Sequence, residues 1–374
     1  MAAGRPTPGL NRIHRRKAGN GSKTMRNVHR LVEAVQRNCD ISDARHARDM
    51  TMCTYLMEMR EYFRWEHDIP LDQPPPKEEL GSWLSQREAR WGSVEAESFE
   101  PLPIGERTYG PFEIEAINDA INPHGLVYGG GYGRFGKPHF FLGELARRDQ
   151  RAGFEVLVTG CEYARDITAI PAAFQNGSIF LRRDALRRWL WEKVELWSVR
   201  KGDGALRSAL ECYGYDSDPH LGLERMTEIE SEAVILHEIG EGLAERLLGR
   251  DWKDMIAAFV RKRPEILARA VRDNLADCLS TLPGLVERQA HCSLHFYFAN
   301  FEGMRRTLFP RLMQSYRRWA TEGNPAPLLD AARAGTAHWS QVASRLIDLH
   351  RSNPAGAEDA VEALLTETES SLTL

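Results

Sequence analysis

The chain has 374 residues, 42% of them hydrophobic and 27% charged, with a net charge of −4. That length accommodates two domains, or one domain with an insertion, and the composition is that of a globular protein. The charge balance gives no global nucleic-acid footprint. No stretch approaches the apolar length of a transmembrane helix, so no membrane contact is expected.

Residues 1–25 are basic and poor in large apolar side chains, with Arg5, Arg12, Arg15, Arg16, Lys17 and Lys23 unopposed by acids. They read as a disordered arm, or as sequence ahead of a start at Met25. This arm is the one segment whose charge suits nucleic acid. Helical spacing begins near Asn27 and continues, after Asp40-Ile41-Ser42-Asp43, through Met52, Tyr55, Leu56, Met59 and Phe63. On the second of these helices His46, Asp49 and Cys53 share a face, which makes His46 and Asp49 a candidate second ligand site. Asp72-Gln73-Pro74-Pro75-Pro76 predicts an extended linker, and Leu80 to Arg90 a short helix.

Between residues 101 and 182 the pattern changes. Runs at 125–128, 138–142, 154–158 and 178–181 are bounded by Gly, Asn or Pro and predict a small antiparallel sheet. The run Gly129 to Gly136 lies between two of these strands. It lacks the ending of a phosphate-binding loop and reads as a hairpin loop, with a phosphate cradle as the lesser alternative. From residue 183 onward the pattern is helical, split by Gly and Pro, including segments at 224–249, 264–282 and 284–304. The expected architecture is α+β and predominantly α-helical, a helical bundle core with a small antiparallel β insertion. Its parts are a basic arm (1–25), an N-terminal helical segment with a Pro-rich linker (26–100), a small α+β region with the Gly-rich loop (101–182) and a helical domain (183–374).

Chemistry concentrates in that last domain. Glu230 to Glu241 contains His237-Glu238-Ile239-Gly240-Glu241. His237 and Glu241 are four residues apart and share a helix face. On a helical wheel Ile229, Ala233, Leu236, Gly240, Leu243 and Leu247 form the apolar side, with Glu230, His237 and Glu241 on its flank. Ionisable groups beside a core face are costly unless paired or metal-bound. Gly240 inside the helix is explained by a close crossing, by a nearby ligand, or as a merely tolerated glycine. The following helix carries Asp273 and Asp277 with the same spacing. A third helix is expected to carry Glu287, His291 and His295 on one face, as possible further ligands.

The His-Glu-x-x-Glu and Asp-x-x-Ala-Asp pair, Glu230 to Asp277, partly resembles the helix pair of gluzincin metallopeptidases. The resemblance implies metal ligands at His237, Glu241 and Asp273, a general base at Glu238, and Asp277 in the metal site as a group that orients a ligand. It departs from that family where Glu241 replaces a histidine and Asp273 a glutamate. The first change shifts a donor from nitrogen to oxygen and the second keeps an oxygen donor, so the implied cofactor is a divalent ion, Zn, Mn or Fe. The segments around Asp40, around His237 and Asp273-Asn274-Leu275-Ala276-Asp277-Cys278 also resemble an uncharacterised bacterial family, which implies no activity.

The six cysteines are scattered without a C-x-x-C pair and predict reduced thiols in a cytoplasmic protein. The functional expectation is a metalloprotein acting as a metal-dependent hydrolase. The alternatives are a di-metal carboxylate oxidase or oxygenase using His291 and His295, and a non-catalytic scaffold of buried ion pairs with Arg246, Arg269 and Arg272.

Overall fold

A computed structural model describes residues 22–133, 136–200, 204–367 and 372–374. Most of the basic arm therefore lies outside the described residues, while its last residues, from Ser22, already belong to the first helix. The chain divides into two compact units. One comprises residues 1–149, 156–171 and 180–191, the other residues 150–155, 172–179 and 192–374. The architecture is α+β with helices predominant.

The first unit begins with α1 (Ser22–His46), α2 (Met52–His67) and α3 (Lys77–Val94), followed by the hairpin β1 (Leu102–Ile104) and β2 (Arg107–Tyr109) and by α4 (Ile114–Ile121). Leu31, Val32 and Val35 of α1 pack with Ile117, Tyr128, Phe140 and Leu157 in one apolar core. Several polar residues of α1 are buried as well, and three of them find partners in later segments. Asn38 caps the backbone of Glu100, Ser42 donates to the carbonyl of Pro138, and Asp43 meets Lys137 and the N–H of Ile167. Paired this way, they escape the penalty of buried unsatisfied groups.

The main sheet has five strands in the order β3-β4-β5-β7-β6 and is mixed rather than a small antiparallel insertion. They are β3 (Leu126–Tyr132), β4 (Pro138–Arg151), β5 (Phe154–Arg165), β6 (Ala172–Gln175) and β7 (Ser178–Arg182). The β4 and β5 strands run well beyond the expected segments, because their second halves alternate with polar residues that carry no apolar signal. The Gly-rich run corrects the loop expectation. Gly129, Gly130 and Gly131 are strand residues paired with Phe141, Phe140 and His139. A Cβ at Gly129 would fall 2.1 Å from the Phe141 ring, so glycine is there to admit an aromatic side chain. The turn itself is short, closed by Gly133 N donating to Lys137 O at 2.8 Å, with Arg134 and Phe135 outside the described residues.

After α5 (Arg183–Arg200), whose residues up to Trp191 belong to the first unit, the second unit holds α6 (Ala205–Tyr213), the long α7 (Pro219–Ala258), α8 (Lys262–Ala276), a π-helical turn (Asp277–Thr281), α9 (Leu282–Glu287) and α10 (His291–Ala299). Then come α11 (Gly303–Leu308), α12 (Pro310–Glu322), α13 (Ala326–Ser352) and α14 (Ala357–Glu367). Their common core includes Leu236, Val271, Leu275, Leu294, Phe309, Trp339 and Leu346.

Two sequence expectations change here. The helix anticipated over 284–304 is broken at Gln289, whose φ of 52° is left-handed, so Glu287 is not on the helix of His291 and His295. The wheel also misplaced Ile229 and Leu247, which are 40% and 57% exposed, while Glu230, Ile235, Glu238 and Ile239 are buried. The middle of α7 is enclosed on most sides, so an amphipathic pattern underreports its contacts.

The thiol expectation is also corrected. Cys212 on α6 and Cys292 on α10 form a disulfide with Cα atoms 5.4 Å apart, while Cys39, Cys53, Cys161 and Cys278 remain thiols. The partners are 80 residues apart in sequence and meet only because the two helices pack together, which no spacing rule detects.

Candidate metal centre

The centre is built where α7 crosses α8. A Cβ on Gly240 would lie 2.2 Å from the carbonyl oxygen of Ala276, so glycine alone permits the two backbones to approach this closely. The crossing sets His237, three residues before Gly240, and Glu241, the residue after it, opposite Asp273 and Asp277. One ligand atom from each of His237, Glu241 and Asp273 can be chosen so that all lie within 4.8 Å of one another. It is the one such trio of His, Cys, Asp or Glu among the described residues.

The π-helical turn begins at Asp277, and such turns concentrate at functional sites. Pro283, just beyond it, has no N–H for the helical ladder, which accounts for the local change in hydrogen bonding. Asp277 is buried and fully engaged. Its Oδ1 accepts from His237 Nδ1 at 2.8 Å and from the Thr281 hydroxyl at 2.8 Å. Its Oδ2 accepts from the Tyr297 hydroxyl at 2.8 Å and from the Arg305 guanidinium. With Nδ1–H committed to Asp277, the lone pair of a neutral His237 sits on Nε2, 3.5 Å from Glu241 Oε1. Asp277 therefore orients the imidazole and is not itself one of the trio.

Arg272 is the principal counter-charge. It donates to Glu241 Oε1 at 2.7 Å and to Asp273 Oδ1 at 2.9 Å. Burial raises the Glu241 carboxyl, but Arg272 and His237 outweigh it and hold its pKa at about 2. Burial lowers His237, and the hydrogen bond and charge of Glu241 more than offset this, so its pKa is raised. Glu238 is the exception in the cluster. It is buried, its Oε2 has no hydrogen-bond partner, and burial together with the Glu241 charge pushes its pKa up to about 8. A buried carboxylate oxygen without a partner is uncommon and marks a place where a proton or ligand belongs.

The other sequence candidates lie elsewhere. His291 and His295 face aromatic rings: His291 meets Trp319, and His295 Nδ1 is 3.0 Å from the Tyr316 hydroxyl. Neither they nor Glu287 enter the trio. His46 and Asp49 contact each other at 3.3 Å on the surface of the first unit. Glu230 joins a separate buried network, accepting from the Tyr213 hydroxyl, which also lies 3.4 Å from Ser293 Oγ. Arg246 stacks over the Phe154 ring and Arg269 pairs with Glu265, so of the three arginines expected in ion pairs only Arg272 bonds to the cluster.

Comparison with known families places the chain. The N-terminal domain of a family of unknown function, DUF6866, matches residues 30–182, and the C-terminal domain of that family matches residues 187–368. The chain belongs to the DUF6866 family. Neither the curated proteins nor the solved structures contain a match to it. In this DUF6866 member His237, Glu241 and Asp273 all lie within the C-terminal domain.

Sequence reasoning missed Thr281, Tyr297 and Arg305, the partners of Asp277. Thr281 was within reach, since it lies four residues after Asp277 on the same face. Tyr297 and Arg305 reach Asp277 from later segments, and no local pattern points to them.

Proposed function

We propose that the C-terminal domain, read as a helical bundle, is a divalent-metal-dependent hydrolase centred on His237, Glu241 and Asp273. The observation that carries this reading is the convergence of one imidazole and two carboxylates within 4.8 Å, with Asp277 fixing the imidazole. One nitrogen and two oxygen donors suit Zn²⁺, Mn²⁺ or Fe²⁺, and three protein ligands leave coordination positions open. A bound divalent ion would supply an acidified water and a polarising charge. With the positive charge of a bound ion favouring its carboxylate form, Glu238, whose Oε2 has no hydrogen-bond partner, is the group to receive the proton as the water oxygen bonds to the substrate's electrophilic centre. It then returns that proton to the leaving group as the scissile bond breaks.

Elemental analysis of the protein after incubation with each ion and removal of excess tests this. The reading requires about one equivalent per chain, lost in His237→Ala. Uptake that is unchanged in His237→Ala, or absent with all three ions, refutes it.

A second reading is favoured by Arg272, which bonds to both acidic members of the trio. In it the cluster is a structural ion-pair network and binds no metal. These side chains are 19–26% exposed, so removing Arg272 costs less than the roughly 3–5 kcal/mol of a fully buried pair. On that reading Arg272→Gln is destabilised and no ion rescues it. On the metal reading, added ion restores the melting temperature by mass action.

A further inference from the structure

Arg272 has a peculiar position for a group beside metal ligands. Its Nη2 donates to Glu241 Oε1 at 2.7 Å, and Nη2 and Nε donate to Asp273 Oδ1 at 2.9 and 3.2 Å. These carboxylates are the two acidic members of the trio. A divalent ion bound there is neutralised by them alone. Asp277 does not change the balance, because it already pairs with Arg305. Arg269 is absorbed by Glu265. Once an ion takes the carboxylates of Glu241 and Asp273, Glu238 is the one other carboxylate of the cluster beside Arg272. The Arg272 side chain is 26% exposed, so solvent and solutes reach it.

We propose that Arg272 docks an oxyanion of the substrate, which makes the substrate a carboxylate- or phosphate-bearing molecule with that group adjacent to the bond attacked. The inference rests on the metal-centre reading above. A guanidinium offers a planar fork of N–H donors that matches a carboxylate or phosphate in a bidentate pair. In the metal-free protein the fork is occupied by Glu241 and Asp273. Metal binding and anion binding are therefore coupled, since the ion takes the carboxylates and leaves the fork available. One group competes for this role. Glu238 is the remaining carboxylate of the cluster, and among the described residues no hydrogen bond joins it to Arg272. If it captures Arg272 when the ion binds, no anion site forms.

The experiment uses the full chain and two calorimetric titrations. The first adds Zn²⁺. The second adds benzoate, methylphosphonate or the uncharged benzamide to the metal-free and the Zn²⁺-loaded protein. The expected result is that at least one of the two anions binds the loaded protein, that benzamide does not, and that the metal-free protein binds the anion at least about tenfold more weakly. Preference for methylphosphonate identifies a phosphate substrate, and preference for benzoate a carboxylate. Arg272→Gln should still take up Zn²⁺ but lose about tenfold or more in anion affinity. Arg272→Lys, which keeps the charge and loses the fork, should fall between and covers the case in which Gln does not fold. Zn²⁺ uptake without anion binding, or anion affinity unchanged in both variants, overturns the docking role and leaves the metal centre standing. Absence of Zn²⁺ uptake removes both.

Discussion

Gly240→Ala separates two forces of opposite sign at the crossing that builds the centre. On helix propensity alone the substitution should stabilise the protein by about 1 kcal/mol. Packing opposes it. The added Cβ would sit 2.2 Å from the Ala276 oxygen, 2.7 Å from its carbonyl carbon and 3.1 Å from its Cα. Comfortable carbon–oxygen contacts begin near ~3.3 Å, so α7 and α8 must part by roughly 1 Å. All three opposing atoms are main chain and cannot rotate away. Overpacking of this kind costs about 1–3 kcal/mol, occasionally more, and the rigidity of the contact places this case at the upper end. The expected net effect is a loss of about 2 kcal/mol, or roughly 4–8 °C in Tm for a domain of this size. Calorimetric melting of the wild type and the variant measures it. Because the same separation pulls His237 and Glu241 away from Asp273, metal affinity should fall as well. A variant that melts at or above the wild-type temperature would show that the crossing is looser than described and refute the argument.

Asp277→Asn weakens the hold on the His237 imidazole while preserving side-chain shape. Metal affinity should fall about 10–100-fold by calorimetry, and an unchanged affinity would count against an orienting role. Glu230 carries a pH signature. Burial raises its pKa from 4.5 to about 7 despite the hydrogen bonds from Tyr213 and Ser293. A raised acid favours the folded state below its unfolded pKa and loses that contribution as pH rises through the folded value. Glu230→Gln should thus gain about 3 kcal/mol relative to wild type between pH 4.5 and pH 8 in urea unfolding, and a pH-independent difference would contradict the assignment. Replacing both Cys212 and Cys292 by Ser should cost up to about 4 kcal/mol through the entropy of an 80-residue loop, read by melting under non-reducing conditions. Equal melting of wild type with and without reductant would mean that the bond does not form in solution.

The sequence was legible where the signal was local. His237 and Glu241, and Asp273 and Asp277, share faces by spacing alone, and Gly240 between them allowed for a close approach before its partner was known. The pairing of α7 with α8 followed from adjacency in the chain. What escaped was non-local or depended on exact backbone angles. Tyr297 and Arg305 reach Asp277 from 20 and 28 residues away. The break at Gln289 turns on one positive φ in an otherwise helical pattern, and it separated Glu287 from the histidines. The Gly-rich run looked like a loop because glycine is the usual turn residue, yet Gly129 is in a strand to make room for Phe141. The disulfide depends on the packing of α6 against α10, which spacing does not encode.

The most direct test of the central claim is a crystal structure of the ion-soaked protein with data collected at the metal's absorption edge. The account predicts one anomalous peak per chain, about 2.0–2.2 Å from His237 Nε2 and from oxygens of Glu241 and Asp273, with Arg272 turned away from at least one of these carboxylates. An empty site, with Arg272 still bridging Glu241 and Asp273 in the presence of the ion, would contradict it.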